Sequence, residues 1–171
     1  MKDKVPYYEI VNMFFTGAVF CLAVFCLEIE YMAALLEKYA YVVARLEKWS
    51  VIVTAVLVIS MYEVGFILNR LGSLIIGEAF KKKVWPRGEY LGRISEIEEF
   101  DPKFKKLNIE LVLIRTHIMM FLILGALALV QKRWYVLCVL VILIVAFVLS
   151  GRLHNEKMNK IKENFRDQNQ Q

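Results

Sequence analysis

The sequence has little that would punctuate a soluble fold, with 3 prolines and 8 glycines in 171 residues. So few breakers exclude a turn-rich sheet protein, and the scarcity of low-complexity polar tracts excludes a disordered chain. Cysteine is also sparse, and Cys21, Cys26 and Cys138 show no metal-binding or redox spacing with a nearby histidine. They read as small buried hydrophobes. There is no Walker loop, GxGxxG, HExxH or GxSxG, and no repeat at a solenoid period. No catalytic residue, metal or cofactor is therefore expected, and the chain does not read as an enzyme.

What the sequence has in excess is apolar residues, at 58%, with a mean hydropathy of +0.49. An average soluble chain holds roughly 45–50%. The excess is concentrated in four runs, at about residues 10–27, 51–69, 111–130 and 134–150. Each meets or approaches the roughly 20 residues that a spanning helix needs. Lipid offers no hydrogen-bond partners, so proline-free apolar runs of this length must be helices. The first run lacks a small-residue cleavage site and continues into Leu27-Glu28-Ile29-Glu30, so it reads as a retained span and not a signal peptide. The fold class is all-α, a multi-pass transmembrane bundle of four spans.

Charge orients the spans. Of the 22 lysines and arginines, only Lys38, Arg45, Lys48, Lys132 and Arg133 fall on the side of the first and third loops, and Arg115 falls inside a span. The rest lie with the two termini and the middle connector, which the positive-inside rule makes cytoplasmic. This bias accounts for the net charge of +5, so no direct nucleic-acid binding is expected.

Three pieces lie outside the hydrocarbon. Residues 28–49 alternate apolar and charged positions near helical spacing, as an outer amphipathic hairpin or an extension of the first two spans; a short helix on the headgroups fits as well. Residues 70–110 form a basic cytoplasmic connector, where Lys81, Lys82, Lys83 and Trp85 suit anionic lipid headgroups. Turn signals stand at Pro86-Arg87-Gly88 and Asp101-Pro102. Residues 151–171 form a polar tail, a helix that frays towards its end.

Charges within a span are costly, so each requires a partner or a watery cavity. Glu63, Arg115 and His117 are such groups, with Asn12 and Thr16 entering from the same side. Counting depth from the span ends predicts that Glu63 and Arg115 meet, within one chain or between neighbouring copies. The resulting cluster reads either as structural glue or as a polar ring at a pore mouth, and Arg115 or His117 can instead snorkel to the surface. Gly17, Gly65, Gly72 and Gly125 offer small faces for close helix approach.

In Tyr62-Glu-Val-Gly-Phe-Ile-Leu-Asn-Arg-Leu-Gly-Ser-Leu-Ile-Ile76, in Asp101-Pro102-Lys103 and in Arg115-Thr116, the chain resembles small four-span bacterial membrane proteins of anti-phage defence loci. The resemblance covers roughly residues 60–130. It implies an inner-membrane effector that a cytosolic partner or nucleotide signal triggers to oligomerise or open, depolarising the membrane. On that reading Arg70, Ser73, Arg87 and Arg93 are the contacts for an anion or partner at the cytoplasmic mouth. The expected assembly is a homo-oligomer, with a tetramer favoured, conducting near Asn12, Glu63 and Arg115. The alternative is a non-conducting scaffold or sensor that recruits or restrains a cytosolic protein through residues 86–110 and the tail.

Overall fold

The computed structural model of the chain describes residues 7–40, 50–76 and 94–168. Among them all regular structure is helical, and four helices are long and apolar enough to cross a membrane. The chain is a multi-pass transmembrane helical bundle.

Helix α1 (Tyr7–Leu27) is followed after Glu28 by α2 (Ile29–Lys38). The hydrogen-bond ladder runs through the junction, from Glu28 N–H to the Val24 carbonyl and from Met32 N–H to that of Glu28. Residues 29–38 are helical and follow the first span; residues 41–49, which complete the outer segment expected at 28–49, lie outside the described residues. Helix α3 (Ser50–Leu71) passes into a π-helical turn, Gly72–Ile76. Helix α4 (Ile94–Phe100) is short, and helices α5 (Pro102–Val130) and α6 (Trp134–Gln168) form a long hairpin. The α5–α6 turn is tight, with Lys132 at a left-handed φ of 57°.

The bundle has a centre. Half of the apolar window of α5 is buried, against 17% for α1 and 11% each for α3 and α6, so α5 is the helix on which the others pack. Leu68, Met120, Phe121, Leu124, Ala128 and Leu140 form the core in the apolar middle. Lipid is as apolar as these side chains, so this core is held by close packing more than by any flight from water. Glycine sets the closeness. A Cβ on Gly17 would land on the Met61 carbonyl and one on Gly65 on the Met13 carbonyl, so α1 and α3 cross backbone to backbone. Gly72 likewise lets α3 approach the Arg115 carbonyl, where a Cβ would stand 2.9 Å away.

A second core lies beyond the apolar stretches, at the end of the bundle where α1 begins and α6 ends. Ile97, Phe104, Leu111, Met158 and Phe165 pack there, with Phe100 edge-on to Phe165 at 5.5 Å between ring centroids. This stem is more extensive than the hydropathy pattern implies. Helix α5 starts nine residues before the apolar run at 111, because Asp101 caps it and Pro102 suits the first helical position: Lys103 N–H donates to Asp101 Oδ1 at 2.8 Å. The tail, expected to fray, stays helical to Gln168. His154 links the two stem helices, its Nε2 lying 2.8 Å from Glu110 and its Nδ1 2.9 Å from the Ser150 carbonyl. In water the apolar stem core does gain from burial, by about 1.5–3 kcal/mol per large side chain.

Candidate functional site: a polar cleft between three helices

Each of three helices brings polar residues at helical spacing to one place. Asn12 and Thr16 are four apart on α1, Asn69 and Ser73 are four apart across the end of α3, and Asn108 and Thr116 are two turns apart on α5. Residues four apart share a helix face. These faces line a cleft of about 260 Å³, floored by Met13, Val112 and Leu113 and reached by Arg70. Thr16 and Thr116 are only 4% exposed, so the polar inner wall is dry apart from the cleft itself. The Thr116 hydroxyl lies 2.9 Å from the Val112 carbonyl and 3.2 Å from Asn69 Oδ1, two acceptors for one proton. The bond to Asn69 ties α3 to α5 and fixes the amide that faces the cleft.

The π-helical turn contributes the rest of the geometry. Widening the helix by one residue per turn displaces the side chains that follow, and such turns recur at functional sites. Here it begins at the glycine pressed against Arg115 and carries Ser73 on the cleft wall. The Arg70 guanidinium lies 4.9 Å from the centre of the Phe66 ring, which holds the charge at the rim by a cation–π contact.

Comparison with protein-family models, with curated proteins and with solved structures gives no match.

Of the residues singled out in the sequence, the cleft unites Asn12, Thr16, Arg70 and Ser73. It excludes Glu63, Arg115 and His117. Glu63 is exposed on the outer face of α3, and among the described residues no ion pair joins it to Arg115. Within one chain the expected meeting fails on register. Gly72 stands opposite Arg115, which leaves Glu63 nine residues further along α3, about 13 Å away at 1.5 Å per residue. Arg115 instead acts towards the stem, near enough to Lys162 for its charge to be felt there. His117 is a packed ring: its Nδ1–H donates to the Leu113 carbonyl at 2.9 Å, and it stacks on Phe147 with 5.3 Å between centroids. Arg87 and Arg93 lie outside the described residues.

Asn69, Asn108 and Thr116 are the cleft residues that a search for charges passes over. Their signal is spacing: three polar pairs, each on one helix face and each near the same end of an apolar run.

Proposed function

We propose that the protein is a homo-oligomeric transmembrane channel or pore-forming effector, assembled so that the outer face of α3 turns towards a shared water-filled path. The observation that carries this reading is Glu63. It lies inside the apolar run 51–69, seven residues before Arg70, and is exposed on a single chain. A charge within a span is costly, about 2.5–3.5 kcal/mol at the centre on insertion scales, which lipid does not repay but a hydrated lumen between copies does. Ser60, also exposed, lies on the same face one turn away. With the basic end placed in the cytoplasm by the positive-inside rule, the polar cleft opens at the inner face, where a cytosolic signal arrives. The resemblance to defence-locus membrane proteins supplies the setting: opening in the bacterial inner membrane would halt an infected cell.

The test is the native mass of the protein in mild detergent, followed by conductance in planar bilayers of the wild type and of Glu63→Gln. A closed assembly of three or more copies, with ion selectivity altered in the variant, supports the reading. A monomer in detergent and in nanodiscs overturns it, because four helices from one chain enclose no conducting path.

The stem favours a second reading, a non-conducting scaffold. A packed three-helix unit carrying exposed Lys103, Lys105 and Lys106 is a firm surface for a cytosolic protein. Reversing those three charges should then abolish partner capture and leave membrane leak unchanged.

A further inference from the structure

We infer that the cleft between α1, α3 and α5 is a binding site for a phosphate ester bearing free hydroxyls, such as the glycerophosphate headgroup of an anionic lipid. Four observations converge on that chemistry. The cleft, at about 260 Å³, is far larger than the roughly 30 Å³ that one water occupies in the liquid. Among the described residues that line it the one formal charge is the Arg70 guanidinium, which attracts an anion. Guanidinium binds phosphate oxygens in two parallel hydrogen bonds, and Arg70 is braced for this by Phe66 behind it. The remaining polar wall is neutral: the amides of Asn12, Asn69 and Asn108 and the Ser73 hydroxyl both donate and accept, which is what hydroxyl groups require.

Position agrees with chemistry. Arg70 closes the apolar run of α3, Asn108 stands just before that of α5 and Asn12 just inside that of α1. The cleft therefore sits where hydrocarbon gives way to headgroups. A ligand seated there touches three helices at once, so it would fasten the α1–α3 pair to α5. This site stands independently of whether the protein conducts.

The same chemistry reaches the cleft from two sources, a lipid in the leaflet or a soluble phosphate ester, and the experiment separates them. The full-length protein is purified in zwitterionic detergent and examined by native mass spectrometry with phosphatidylglycerol, with phosphatidylcholine, and with soluble glycerol 3-phosphate. Thermal unfolding is followed in parallel. The expected result is selective retention of one phosphatidylglycerol per chain and a raised unfolding midpoint. Arg70→Gln should weaken retention at least roughly tenfold, since it removes both charge-assisted hydrogen bonds. Asn12→Ala should weaken it less, and Arg152→Gln, on the exposed stem, not at all. Stabilisation by glycerol 3-phosphate alone, again lost in Arg70→Gln, supports the site with a soluble ligand. Equal retention of both lipids, or retention unchanged in Arg70→Gln and Asn12→Ala, overturns it.

Discussion

Lys162 shows how the stem is tuned residue by residue. It is buried beside the Phe104 ring, its Nζ 5.8 Å from the ring centre, and its pKa is lowered from 10.5, first by burial and then by the charge of Arg115. A lysine whose folded pKa lies below its unfolded value binds fewer protons when folded, so stability rises with pH between the two values. Below the folded pKa the penalty is present in full; above 10.5 it is gone. Stem stability, followed by hydrogen exchange or by unfolding, should thus increase as pH rises towards 10.5. Lys162→Met should flatten that rise. Neither partner was legible as such in the sequence, because Lys162 and Arg115 come together only once α6 is known to stay helical past the membrane. Within one chain Glu63 and Arg115 stand apart for a related reason: the edges of apolar runs give approximate depth, whereas register is set by Gly72 against the Arg115 backbone.

For the helices, the decisive contacts are those without side chains. Gly65→Ala would drive a Cβ into the Met13 carbonyl, backbone that cannot turn aside. The α1–α3 crossing must then widen, at a cost of about 1–3 kcal/mol, the usual range for overpacking. A fall in the detergent unfolding midpoint would register it. Gly125→Ala is the matched control, since its nearest new neighbour is a Leu137 methyl at 3.7 Å, ordinary contact distance. The glycines were visible in the sequence as small faces, and the presence of four spans was legible from hydropathy alone. Helix extent beyond the membrane was not, because polar helical turns carry no hydropathy signal. The cap at Asp101-Pro102 was read as a turn, and it is in fact the start of α5.

The whole molecule is two bodies of different physics on one pair of helices. The spans are stabilised by packing in lipid and the stem by burial from water, so they should respond separately to core damage. Phe104 is fully buried in the stem, and Phe104→Ala should cost about 3–5 kcal/mol there. Amide exchange should accelerate across α4 and both stem helices while the span amides stay protected; uniform acceleration would instead mean that stem and spans unfold as one unit. Legibility follows the same divide. The bilayer imposes its rule on every residue of a span, which is why four helices could be read from composition, while the stem and the cleft depend on tertiary contacts. One feature links the two bodies: α6 runs unbroken from Trp134 to Gln168, about 52 Å at 1.5 Å per residue, without a proline or a π-turn. In mechanical terms it is one rigid rod shared by both bodies, so a tilt imposed on its stem end is carried to the lipid-facing side chains of its other end.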